Sequence, residues 1–227
     1  MKKILFALLA LSFCLTAAAQ DDFIFELPDD FSQLDTITHP KQFKSIHMVG
    51  VSYGVIRSGV TSSPNIGHET IWTFNQIGVY YTYYHALWDQ LFNFGLKIGA
   101  THGYEGYASR YESYGEICEV VEAPLISQFK IDFSRFRLLV NLGTYGGYRL
   151  STDKEGGFDK YDQRVTYGVI GGLGFGVVFK PVEIHLEGNY KHSFASMYHA
   201  NKFSDLYWLY TYPKNLIFSA SVHIHLW

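Results

Sequence analysis

The sequence predicts an all-β chain, an eight-stranded antiparallel transmembrane β-barrel of the outer-membrane type with a short periplasmic N-terminal extension. Three observations predict it. Strand-length segments alternate apolar and polar residues with period two, the connections between them alternate long and short, and aromatic residues gather at segment ends. Composition agrees. Aromatic residues make up 18% of the 227 residues, and charged residues 17% against a usual share of about 25%. A chain so rich in apolar rings is not disordered. A net charge of −3 supplies no basic field, so no nucleic-acid partner is expected. The mean hydropathy of −0.01 resembles that of a soluble protein, which follows if half of every strand faces a polar lumen.

The N-terminus reads as an address. Met1-Lys2-Lys3 is a basic start, an apolar run to Leu15 follows, and Thr16-Ala17-Ala18-Ala19-Gln20 supplies the small residues of a cleavage site. The run is short of the roughly 20 residues of a membrane span. Residues 1–19 are therefore expected to be a signal peptide. Cys14 does not make it a lipoprotein signal, because the bulky Phe13 precedes it. With the signal removed, Cys118 is the one cysteine left, so no internal disulfide is expected. Residues 20–43 form an acidic periplasmic extension in which Asp29, Asp30 and Asp35 alternate with Phe25, Leu27 and Phe31. It is either a loose leader or a docking or plugging peptide. The barrel is expected over 44–227.

The strands follow in order. Residues 44–56 and 69–84 alternate weakly. In 91–101 the apolar set is Phe92, Phe94, Leu96, Ile98 and Ala100, against Asn93, Lys97 and Thr101. In 119–132, Val121, Ala123, Leu125, Phe129 and Ile131 oppose Glu122, Gln128, Lys130 and Asp132. In 135–150, Phe136, Leu138, Val140 and Leu142 oppose Arg135, Arg137, Asn141, Tyr145 and Arg149. Residues 164–179 put Val165, Tyr167, Val169, Leu173 and Phe175 on one face and Gly168, Gly172, Gly174 and Gly176 on the other, a wall with room for long arginines. Residues 182–193 are the cleanest: Val182, Ile184, Leu186 and Tyr190 against Glu183, His185, Glu187, Asn189 and Lys191. Residues 216–226 close the count, with Ser219, Ser221, His223 and His225 on the polar face.

Long connections at 57–68, 103–116, 151–163 and 196–213 alternate with short ones at 86–90, 133–134 and 180–181. This is the plan of an outer-membrane barrel, extended outside and tight in the periplasm. Tyr80, Tyr81, Tyr83, Tyr84 and Trp88, and again Tyr207, Trp208, Tyr210 and Tyr212, are expected to form interfacial girdles. A soluble lipocalin-like barrel or sandwich is the alternative fold.

The stretch Glu119-Val120-Val121-Glu122-Ala123-Pro124-Leu125 resembles a strand start of the PorT-like outer-membrane β-barrel proteins of Bacteroidota. The stretches from Asn141 to Tyr148 and from Tyr167 to Gly174 resemble that family's next two strands. The resemblance is best over 116–227, and the first half shares only the rhythm of its connections. It implies an outer-membrane location and a role in the envelope. The family's namesake is tied to type IX secretion and gliding, and most members have no assigned role. None of the matching motifs is catalytic. The terminal Trp227 is expected to be the aromatic ending that outer-membrane assembly machinery reads, although strict alternation from Leu226 puts it on the opposite face from Ile224, so either a bulge precedes it or it sits at the periplasmic interface.

The candidate site is the lumen. Its inward set is Lys97, Glu122, Lys130, Asp132, Arg135, Arg137, Arg149, Glu183, His185, Glu187 and Lys191. Eight strands enclose little more than their own side chains, so these charges are expected to pair into a structural network rather than line a channel. A narrow conduit is the alternative. The expected function is a non-enzymatic structural or accessory component of the envelope, without cofactor, whose partners are outer-membrane lipid, the assembly machinery and other envelope proteins. The alternative is a deacylase-like lipid-modifying enzyme near the extracellular rim, drawn on His192, Ser193, Ser196 and His199. A metal site from His185, His223 and His225 is disfavoured, because interior strand histidines are more often hydrogen-bonded filler.

Overall fold

The computed structural model describes residues 45–65, 67–88, 92–109, 115–133, 135–202 and 209–226. Its strands are β1 (Ile46–Ser63), β2 (His68–Glu69), β3 (Ile71–Trp88), β4 (Phe92–Ser109), β5 (Gly115–Phe133), β6 (Phe136–Thr152), β7 (Val165–Phe179), β8 (Val182–Ser193) and β9 (Tyr210–Leu226). The eight long strands pair antiparallel, each with its neighbour in sequence, and β9 returns to pair with β1 along its length. β2 is a two-residue piece on the far end of β4. Closure removes the free edges that a membrane-embedded sheet cannot tolerate.

The barrel is apolar outside and polar inside. Val51, Ile77, Leu142, Leu173, Leu186 and Phe218 stand exposed on the outer wall, while Lys130, Arg149, Glu183 and His185 are buried in the lumen. A lipocalin-like barrel would carry the apolar set within. A continuous apolar exterior around a charged interior is stable only where lipid, not water, wets the outside. The chain is thus an outer-membrane β-barrel.

Aromatic side chains belt both ends. Tyr81, Tyr83, Phe133, Phe136 and Phe179 are exposed near the short connections, and Trp72, Phe74, Tyr148, Tyr167 and Tyr210 near the long ones. Tyr80 and Tyr84 do not join the girdle expected of them. They face the lumen, because neighbouring residues of a strand point to opposite faces and four tyrosines in one short run cannot share a surface. Tyr210 and Tyr212 stack on the outer face with nearly parallel rings, 6.4 Å between centroids. The side chain of Trp88, Tyr207, Trp208, Trp227, the expected signal peptide and the expected extension lie outside the described residues.

All four of the expected long connections are partly strand. β1 stays paired with β9 out to Ser63 opposite Tyr210, and β4 continues past Glu105 to Ser109. Beyond the lipid the outer face can be polar and the inner one apolar, as with Thr61 outside and Val60 and Tyr107 inside, so the alternation that marks a strand reverses while the ladder persists. The weak alternation of 69–84 has a different cause. Between Gly54 and Ile56 of β1, β3 advances from Gln76 to Thr73 and inserts one residue. Asn75 at this bulge takes a φ of 68°, a left-handed value that asparagine tolerates, and its Oδ1 accepts a hydrogen bond from Tyr53 OH at 3.0 Å. The bulge resets which residues face inward.

At the end with the long connections the lumen becomes apolar. Val60, Tyr107, Cys118 and Val120 from the wall pack against Met197, Tyr198 and Leu209 of the connection between β8 and β9. That connection is tied down by Met197 N donating to Thr211 O at 2.8 Å, Gln163 N to Met197 O at 2.9 Å and His199 N to Tyr161 O at 2.8 Å. It caps the mouth.

Candidate functional site: a charge-packed lumen

Strand alternation places the polar set inward, and the register between neighbours sorts it into layers. Nearest the short connections, β5 contributes Lys130 and Asp132, β6 Arg137 and β8 Glu183. Arg137 Nε lies 2.9 Å from Asp132 Oδ1, and its Nη1 pairs with Glu183 Oε1. Lys130 Nζ is 3.4 Å from Asp132 Oδ2 and 4.5 Å from the centre of the Tyr84 ring. Glu183 also pairs with His225, and its Oε2 accepts from His185 Nε2 at 3.0 Å.

In the middle layer Lys97 Nζ donates to Glu187 Oε1 at 2.7 Å and sits 4.4 Å from the centre of the Tyr80 ring. Asn141 Nδ2 donates to Glu187 Oε2 and to Asn189 Oδ1, each at 2.9 Å. Gln128 Nε2 donates to Asn141 Oδ1 at 2.6 Å, and Gln128 Oε1 in turn accepts from Tyr84 OH. In the layer toward the capped mouth, Lys191 pairs with Glu122 and lies 3.5 Å from Glu105 Oε2. Arg149 Nε donates to Glu105 Oε1 at 3.1 Å, and Asn215 Nδ2 donates to Glu105 Oε2 at 3.0 Å.

Among the described residues, Lys97, Lys130, Arg137, Arg149 and Lys191 therefore meet Glu105, Glu122, Asp132, Glu183 and Glu187, five of each sign. The balance is physically required. An unpaired ion costs several kcal/mol to bury, and direct pairing with added hydrogen bonds offsets that cost. Asn141 and Asn215 donate to the carboxylates of Glu187 and Glu105, and Gln128 links Asn141 to Tyr84.

Of the residues expected in this network, Glu122, Lys130, Arg137, Arg149, Glu183, His185, Glu187 and Lys191 lie in the lumen, divided among the three layers. Arg135 does not. It sits exposed in the connection before β6, where its carbonyl accepts from Val178 N at 2.9 Å. The last rung between β5 and β6 is Phe133 opposite Phe136, so Arg135 precedes the ladder and the alternation from Arg137 does not extend to it. The glycine wall of β7 also serves other side chains than the expected arginines. A Cβ on Gly176 would fall 2.8 Å from His185 Cδ2 and 3.4 Å from Arg137 Cβ, so the space holds chiefly a histidine of the adjoining strand.

Glu105, Asn215 and Tyr84 were missed. Glu105 has the parity of Lys97 and Thr101, and carrying the alternation four residues further would have placed it. The residues drawn as an enzyme do not assemble. Ser193 Oγ is buried with Thr166, Tyr167 O and Ala195 O as neighbours at 3.0–3.3 Å. His192 faces the opposite side of β8, edge-on to Phe194, and His199 is exposed.

Above the cap, a second cluster joins two connections. Asp162 pairs with Lys202, lies 3.8 Å from Lys154 Nζ and accepts from Asp159 N at 2.7 Å; Lys154 also reaches Glu116 Oε2 at 2.6 Å. Burial pushes the Asp162 carboxyl up, but the Lys202 ammonium, the Asp159 amide and the Lys154 charge outweigh it and hold it below its ordinary value.

No family model matches this sequence, and no curated protein matches it. Among solved structures the chain is similar to neisserial surface protein A, NspA, at 12% identity over 78% of this chain and 96% of that one, with a TM-score of 0.47. It is also similar to Ail, the attachment invasion locus protein of Yersinia pestis, at 12% identity over 78% of this chain and 98% of that one, with a TM-score of 0.41.

Proposed function

We propose that this outer-membrane barrel is a closed, non-enzymatic component of the cell envelope, a PorT-like scaffold or accessory that supports secretion or surface assembly through its long connections and its partners. One observation carries the reading: the lumen is filled by matched ion pairs and linking amides, with Lys130, Glu183 and His185 wholly buried. Such an interior rigidifies the wall and leaves the outer and end surfaces to act. Outer-membrane lipid, the assembly machinery and envelope proteins are its partners.

Two measurements test this. Purified protein in planar bilayers gives no steady ion current, and crosslinked pull-down from membranes recovers other envelope proteins. A stable wild-type conductance overturns the closed lumen. A changed lipid A acyl pattern in a deletion strain, restored by the wild-type gene but not by His192→Ala or His199→Ala, overturns the non-enzymatic reading.

A further inference from the structure

We propose that His185, Glu187 and His223 form a lumen site for a divalent transition-metal ion of the zinc type. His185 and Glu187 stand two apart on β8, and His223 comes from the adjoining β9, so all three share one inner face. One donor atom from each lies within 4.8 Å of the other two, and the imidazole centroids are 4.5 Å apart. Zinc bonds to nitrogen and carboxylate oxygen at about 2.0–2.2 Å, which sets tetrahedral ligands about 3.3 Å apart. Side-chain rotation of about 1.5 Å closes the difference.

The ring nitrogens make the case beyond proximity. His185 and His223 are 0% and 1% exposed, yet Nδ1 of each has no hydrogen-bond partner. The opposite nitrogen of each ring is engaged. His185 Nε2 is 3.0 Å from Glu183 Oε2, and His223 Nε2 is 2.9 Å from Ser221 Oγ. A carboxylate only accepts, so Glu183 holds the proton on His185 Nε2 and leaves the Nδ1 lone pair free. A carboxylate behind a ligating imidazole is the outer-shell arrangement that orients such rings and raises their basicity.

The missing side chain of Gly50, the rung partner of His223, leaves the space that the His223 ring itself fills, since a Cβ there would fall 2.2 Å from His223 Nδ1. His225, two residues on, turns instead to Glu183. Lys97 shares Glu187 Oε1 at 2.7 Å. An ionised carboxylate offers about four lone-pair sites, so the ammonium and a metal can be bound together. Two imidazoles and one carboxylate suit zinc or its late first-row neighbours, not calcium or magnesium, and leave a fourth position for water or an anion.

The test refolds the full chain from urea into detergent with ZnCl2, so that a buried site fills during assembly. Folding is checked by mobility on unheated gels, loose metal is stripped with a chelator, and retained metal is counted by mass spectrometry. One zinc per chain is expected, as is a visible d–d spectrum of tetrahedral type with CoCl2. His223→Gln and His185→Gln each lower retention at least tenfold, while His192→Gln and His199→Gln retain the wild-type amount. If His185→Gln fails to refold, His223→Gln decides alone. Wild-type protein that retains no metal, or His223→Gln protein that retains as much as wild type, overturns the site.

Discussion

Glu187→Ala removes the carboxylate at the centre of the middle layer and leaves the Lys97 ammonium, 3% exposed, without its counter-charge. At the observed 2.7 Å separation and an effective dielectric near 20, the lost attraction is about 6 kcal/mol. Part of that is returned, because the native pair had itself to be stripped of water. The expected net cost is about 3–5 kcal/mol, the range for breaking one side of a buried pair. Asn141 and Asn189 lose acceptors at 2.9 and 3.3 Å in the same step, which places the cost at the upper end. The assay is urea unfolding in detergent with chelator present, followed by tryptophan fluorescence, against Glu155→Ala on an exposed connection, where the change should stay within about 0.5 kcal/mol. The double variant Lys97→Met/Glu187→Met should recover most of the loss, since a matched apolar pair replaces a matched ionic one. A cost below about 1 kcal/mol for Glu187→Ala alone, equal to that of the control, refutes the argument that these charges are shut away from water.

Leu173 stands 61% exposed midway along β7, and Leu173→Arg should destabilise the barrel in vesicles by about 2–4 kcal/mol as a cation facing hydrocarbon. A neutral effect would mean that water, not lipid, wets that wall. Acid should release the tie between the two long connections. The Asp162 carboxyl is held below its ordinary value in the fold, so its stabilisation is complete above about pH 4 and is lost as pH falls through the folded value. Hydrogen exchange at the Met197 and His199 amides, corrected for intrinsic rates, should lose protection as the pH falls below the ordinary carboxylate range, while strand amides keep theirs. Asp162→Asn should abolish that difference, and pH-independent protection in the wild type would sink it.

The fold was legible because a barrel strand writes its own orientation: in 182–193 and 135–150 every second residue belongs to lipid and every other one to the lumen, and the structure divides them that way from Arg137 onward. Alternation is local and needs no knowledge of the partner strand. It fails where the local rule is interrupted. The bulge at Asn75 shifts the parity of β3, the connection at Arg135 lies before the ladder, and the far ends of β1 and β4 turn Val60 and Tyr107 inward, where the rest of the wall puts polar residues. Face and charge were therefore properties of the sequence alone. Which Lys meets which Glu was not, because Lys97 and Glu187 lie 90 residues apart and are joined only across the closed lumen. The same holds for the capping of the mouth by Met197 and Tyr198, and for the meeting of His185 with His223. Those depend on strand register and closure, which add long-range geometry to a pattern that by itself says only in or out.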